Sequence, residues 1–121
     1  MPQNKRMLFS SRQQQVATKA QAMCHPARLE ILELLRKHDF MVCGDFVELI
    51  PLEQGTISHH LEVLLEAQLI IRDELIGEIG YRINHIGWQQ ARMSIEHFFA
   101  KIGWALERLD EEVMPLNEKN R

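Results

Sequence analysis

Long apolar runs are missing from this chain. No uninterrupted stretch approaches the roughly 18 to 20 residues that a membrane-spanning helix needs. The opening residues, MPQNKRMLFSSRQQQ, lack the apolar segment of a secretory signal. A cytoplasmic protein with no membrane partner is expected. Cysteine is scarce: Cys24 and Cys43 cannot build a disulfide scaffold, and in a reducing compartment both are expected to be thiols. The six glycines form no phosphate-cradling loop, and no serine elbow is present. Glu96 and His97 are adjacent, but helix surfaces produce such neighbours by chance. No catalytic constellation and no cofactor are therefore expected.

An excess of positive charge is also absent. The 121 residues carry 14 Lys and Arg against 17 Asp and Glu, a net charge of −3, so bulk charge does not announce a nucleic-acid binder. The charge is unevenly spread: residues 1–37 sum to +5, residues 38–83 to −7 and residues 84–121 to −1. What the chain does have is an ordinary globular balance, 45% hydrophobic and 26% charged. That is enough for a single domain with one modest core. There are no internal repeats.

Periodicity organises the chain into mostly helical segments. Residues 1–10 read as a loose arm, with Ser10 and Ser11 as candidate N-caps. A helix is predicted over 12–23, with Val16, Ala20 and Met23 at helical spacing. Pro26 opens a second helix running to about Lys37, with Leu29, Leu32 and Leu35 on one face and Arg28 elsewhere. A short third helix over 42–50 stops at Pro51. The fourth, about 54–67, repeats Ile57, Leu61 and Leu64 as a core stripe opposite Gly55, Ser58, His59 and Glu62. His60 lies nearer the stripe and is expected to be partly buried. Two short helices joined by a tight turn over 42–67 make a helix-turn-helix.

After Ala67 the period changes. Leu69–Leu75 and Ile79–Asn84 read as a β-hairpin, with Ile76, Gly77 and Glu78 between the strands. A hairpin at 69–84, directly after a helix-turn-helix, is a wing. A long helix over 88–113 follows, with Ile95, Phe98, Phe99, Ile102, Leu106 and Leu109 forming a wide apolar stripe. So much late apolar surface in a small domain points to pairing with a second copy.

Three stretches resemble the ArsR family of bacterial winged-helix repressors. AMCHPARLEILELL resembles the family's opening helix motif, in which a His-Pro or Asp-Pro step precedes Arg-Leu. QGTISHHLEVLLEAQLI resembles its recognition helix, where a Ser-x-Ser-Thr-Val-Ser-His-His-Leu pattern is typical, and GYRIN resembles the end of its wing. The resemblance covers about residues 20–84, and the three motifs occur in order at the right separations. It implies an α+β, mainly helical fold of about five helices and a hairpin wing. It also implies a homodimer through helices 12–23 and 88–113, and repression at a palindromic operator in double-stranded DNA. The operator, the regulated genes and the inducer are not specified by the sequence.

On this reading Gln54, Gly55, Thr56, Ser58 and His59 face the major groove. Gln54 can bond adenine through two hydrogen bonds, and Thr56 and Ser58 can reach a base or a phosphate. Gly55 lets the helix N-terminus approach a phosphate. The chain also departs from the family's pattern. Glu53 stands where a small cap is usual, and the wing offers Arg72 and Arg82 against Asp73, Glu74 and Glu78. Arg72 and Arg82, with Arg28 and the arm residues Lys5, Arg6 and Arg12, are the candidate phosphate contacts.

No metal site is expected. Soft-metal sensors of the family often carry Cys-Val-Cys-Asp at the start of the third helix; here the stretch is Val42-Cys43-Gly44-Asp45, without the paired sulfurs. His85 and His97 remain as weak ligand candidates. They are 12 residues apart, about 18 Å along one helix, and could meet only across a dimer. Asn84 replaces a carboxylate and Lys101 stands four residues after His97. Cys24, just before Pro26 at a helix start, and Cys43 could form a thiol switch, against the plain reading of two small buried residues. Two rival functions follow: a winged-helix interaction module that has lost DNA binding, motivated by the acidic middle segment, and a repressor gated by Cys24 and Cys43.

Overall fold

The computed structural model of the chain describes residues 8–107, with the backbone alone described over 105–107. The described part holds five helices and one hairpin: α1 (Ser11–Ala22), α2 (Pro26–His38), α3 (Cys43–Leu49), α4 (Gln54–Glu66), β1 (Ile70–Leu75), β2 (Glu78–Ile83) and α5 (His85–Glu107). The predicted architecture is present. The arm residues 1–7, Leu109 and the predicted end of the last helix lie outside the described residues, as does the Leu106 side chain.

Local chemistry fixes most boundaries. Ser10 caps α1: its Oγ accepts from the Gln13 N–H at 3.0 Å, and Gln13 Oε1 accepts from the Ser10 N–H at 3.1 Å. Pro26 sits in the first turn of α2, where His25 Nδ1 accepts from the Ala27 N–H at 3.0 Å. Asp45 opens α3 by accepting from the Val42 N–H at 2.9 Å. The hairpin turn is tighter than the sequence implied, because Glu78 already pairs with Leu75. Only Ile76 and Gly77 turn the chain, both at positive φ, 50° and 79°. Gly77 suits that geometry, whereas Ile76 is β-branched and strained there.

The long helix begins earlier than predicted, at His85, and Asn84 is the reason. Its Oδ1 accepts from the Gly87 N–H at 3.1 Å and its backbone carbonyl accepts from the Trp88 N–H at 2.7 Å. Its Nδ2 also donates to the Gln68 carbonyl at 3.0 Å, tying the α5 start to the loop after α4. The backbones come so close there that a Cβ on Gly87 would collide with the Gln68 carbonyl.

The core lies between α2, α3, α4 and the base of the hairpin. Ile31, Leu35, Phe46, Ile57, Leu61, Leu64, Leu69 and Ile70 are fully buried. Met41 extends the hairpin by one bridge, exchanging both backbone hydrogen bonds with Tyr81 at 3.1 and 2.8 Å. The α4 stripe is as predicted. The α2 face is rotated by about one residue: Ile31, Leu32, Leu35 and Arg28 point inward, while Leu29 is 43% exposed. In α1 only Ala22 is buried, and Ala20, expected inside, is exposed.

α1 packs on α5 at one side of this core. The apolar side chains of α5 that the sequence singled out remain largely in water: Phe99 is 70% exposed, Ile102 46% and Phe98 37%, with Ile95 half-buried. Phe9, Gln13, Gln14, Val16, Ala17 and Phe98 line an open cavity of about 450 Å³ between the two helices.

Candidate nucleic-acid interface

α3 and α4 pack together, and the outer face of α4 is free of the core. Gln54, Gly55, Thr56, Ser58 and His59 are all exposed on or next to that face. Among the described residues, no side-chain hydrogen bond engages Gln54 or Thr56. Glu53 makes no side-chain hydrogen bond to the helix start, so the first N–H groups of α4 stay open to an incoming anion. Ser58 is touched by a side chain outside α4: its Oγ lies 3.9 Å from Cys43 Sγ on α3. His60 is more buried than expected, at 5% exposure.

The wing is less available to DNA than its two arginines suggested. Arg72 lies 3.6 Å from Glu62 of α4 and over the Tyr81 ring at 5.8 Å. Arg82 is paired with Asp73 at 3.4 Å and Asp39 at 3.9 Å, and sits over the Phe40 ring at 5.6 Å. Arg82 Nε is buried and has no hydrogen-bond partner among the described residues. The wing tip itself is apolar, with Ile76 95%, Ile79 64% and Leu75 45% exposed.

Arg28, a candidate phosphate contact, is turned into the protein. It is 8% exposed and spends its guanidinium inside the protein. Nε donates to the Ala22 carbonyl at 2.7 Å, Nη2 to the Gln21 carbonyl at 3.3 Å and to Cys24 Sγ at 3.7 Å, and Nη1 meets His60 Nδ1 at 3.0 Å. The carbonyls at the α1 end, at the negative pole of its dipole, attract a cation and make this burial tolerable. Sequence spacing gave no sign of it, since the partners come from α1 and α4. Lys19 was also missed: its Nζ donates to the Ala67 carbonyl at the end of α4. Burial lowers its pKa from the ordinary lysine value.

The other candidates are dispersed. Arg12 hydrogen-bonds His97 Nε2 across α1 and α5, which occupies one of the two weak metal candidates. His85 lies at the far N-terminal end of α5. Among the described residues, no three His, Cys, Asp or Glu side chains are grouped to hold a metal ion. Both cysteines are free; Cys43 is half-buried, but Cys24 is exposed, contrary to the expectation of two buried thiols. Its place in the short connection between α1 and α2, beyond the core, keeps it in solvent. No helix of the described residues is long and apolar enough to cross a membrane.

A helix-turn-helix with an exposed polar second helix, followed at once by an antiparallel hairpin, defines a winged helix-turn-helix protein. The fold recurs in solved structures. The chain superposes on an ArsR-like transcriptional regulator from Rhodococcus sp. RHA1 with a TM-score of 0.69 at 21% identity, over 87% of this chain and all of that one. It also matches the homodimeric winged helix-turn-helix DNA-binding domain from Mycobacterium bovis, with a TM-score of 0.54 at 21% identity and 95% coverage of each chain. Residues 25–72 match the model of the bacterial regulatory proteins of the arsR family. The arsenical resistance operon repressor of Staphylococcus xylosus is 31% identical over 71 residues, 59% of this chain and 67% of that protein. The chain belongs to the arsR family of bacterial regulatory proteins, which are DNA-binding regulators and not enzymes.

Proposed function

We propose that the protein is a homodimeric transcriptional repressor that acts in the cytoplasm on a palindromic operator, with α4 in the major groove. The observation that carries this reading is the open polar face of α4, where Gln54, Gly55, Thr56, Ser58 and His59 stand clear of the core. Four of these five have side chains that hydrogen-bond base edges or phosphates. The dimer would rest on Phe9, Val16 and Phe98, which line one apolar groove, together with Phe99 and Ile102, which are exposed on α5. An isologous pair placing two copies of α4 on one side reads a palindrome by symmetry. Arg72 and Arg82 reach phosphates only by loosening their carboxylate partners.

Selection of bound fragments from the organism's genomic DNA, followed by gel shift, tests the proposal. A specific fragment should be retained. Ser58→Ala with His59→Ala should weaken it by about 30-fold, taking two contacts at the low end of the usual 1–3 kcal/mol each. Wild-type affinity in a double variant that still dimerises would refute the α4 assignment. The second reading, an interaction module without DNA binding, is favoured by the paired wing arginines and the apolar wing tip. Failure to retain any fragment at low salt would decide for it. A thiol-gated repressor is supported by exposed Cys24 against Arg28 and by Cys43 against Ser58. Unchanged cysteine masses after peroxide treatment would exclude it.

A further inference from the structure

The contacts of Arg28 form a link between three helices. Its Nε and Nη2 hold the last carbonyls of α1, at 2.7 and 3.3 Å, its backbone belongs to α2, and its Nη1 lies 3.0 Å from His60 on α4. Both side chains are buried, at 8% and 5% exposure. Arginine has no acceptor and keeps its proton at all accessible pH. His60 Nδ1 must therefore be the acceptor, and its ring is neutral with the proton on Nε2.

We propose that Arg28 is a positioning residue for the recognition helix, and that its hold on His60 is released by protonation of that histidine, so that DNA binding is lost in acid. The proposal rests on the DNA-binding reading above.

The surroundings of His60 make the release one-directional. The charged and titratable groups facing it are Arg28 and His25 from α2 and its cap, and His59 beside it on α4. The His25 ring centroid is 4.4 Å away and that of His59 5.7 Å. All three are cationic when charged, so among the described residues a proton added to His60 meets no compensating carboxylate. Burial first, then His25, Arg28 and His59, lower the His60 pKa below the ordinary 6.5. Once protonated, Nδ1–H confronts a guanidinium N–H at hydrogen-bond distance, and two donors cannot share that contact. The contact opens, and α4 loses its tie to the α1 end. His59 and Ser58 lie one and two residues from the broken contact, so their register on the bases shifts with it.

The test is fluorescence anisotropy of the full chain on a genomic fragment selected at pH 8, repeated down to pH 5.5 at constant ionic strength. Wild-type affinity should fall with a slope approaching about tenfold per pH unit below the His60 pKa. His60→Asn keeps an acceptor, Oδ1, near the place of Nδ1 and cannot be protonated; its affinity should stay level or rise in acid. Imidazole nitrogen resonances of the wild-type protein give a second measurement that requires no variant. They should show His60 as the Nε2–H tautomer at pH 8 and its titration in step with the loss of DNA. Binding that is strong at pH 8 and level to pH 5.5 would overturn the link alone, as would loss of DNA while His60 stays neutral or an equal loss in His60→Asn. No binding to any fragment at pH 8 would overturn the DNA-binding reading beneath it.

Discussion

Phe99 gives the sharpest test of the dimer. Its side chain is 70% exposed on α5, so most of the benefit of burying a phenylalanine is unused within one chain. Full burial of such a side chain contributes about 1.5–3 kcal/mol, leaving roughly 1–2 kcal/mol to be gained at an interface. A two-fold interface buries Phe99 twice, so Phe99→Ala should weaken the dimer by about 2–4 kcal/mol, roughly 30- to 800-fold in Kd. Sedimentation equilibrium across a wide concentration range reads this directly. Ile76→Ala is the matched control: Ile76 is 95% exposed but sits at the wing tip, away from α1 and α5, so dimerisation should not change. A Kd for Phe99→Ala within about threefold of wild type would refute the reasoning. So would an equal effect from Ile76→Ala, which would mean that exposed apolar area in general, not the α5 face, drives association.

Further outcomes follow from individual contacts. Gly87→Ala should destabilise the fold by about 1–3 kcal/mol, seen as a lower thermal midpoint, because the new methyl meets the Gln68 backbone carbonyl, which is held by Asn84; an unchanged midpoint would show that the junction yields freely. Ile76→Asn should raise the thermal midpoint, since Asn tolerates the 50° φ that strains a β-branched residue, by about 1 kcal/mol. The lowered pKa of His60 makes stability depend on pH. Below 6.5 the unfolded chain takes up the proton first. The contribution is therefore complete above 6.5 and is lost as pH falls from there through the folded-state value. Urea midpoints across pH 5 to 8 should fall on the acid side in wild type and change less in His60→Asn.

In α4 the backbone period was a reliable guide, as it was not in α1 and α2. Ile57, Leu61 and Leu64 line the buried side of α4, and the candidate readers stand opposite. Ser10, one of the two candidate N-caps, does cap α1. Contacts between segments distant in the chain were not legible. Arg28 was placed with the exposed residues because charge normally stays in water. Its burial depends on carbonyls of α1 and a ring 32 residues away on α4. Asn84 was read as the end of a strand, because nothing in its neighbours shows that its amide bridges Gln68 and Gly87. The wing arginines were identified as candidate contacts, but their carboxylate partners on α4 and beyond α2 become neighbours only on folding.

Those pairings also change how the wing would respond to salt. A free arginine meeting a phosphate displaces a condensed cation, and the gain in ion entropy makes binding weaken steeply as salt rises. Arg72 and Arg82 already carry counterions, in the form of Glu62, Asp73 and Asp39. If either arginine turns to a phosphate, one cation leaves the DNA but the deserted carboxylate recruits another, so little net ion release remains. The wing would act as an ion exchanger with a near-zero balance, and the steep part of any salt response must come from elsewhere on the chain.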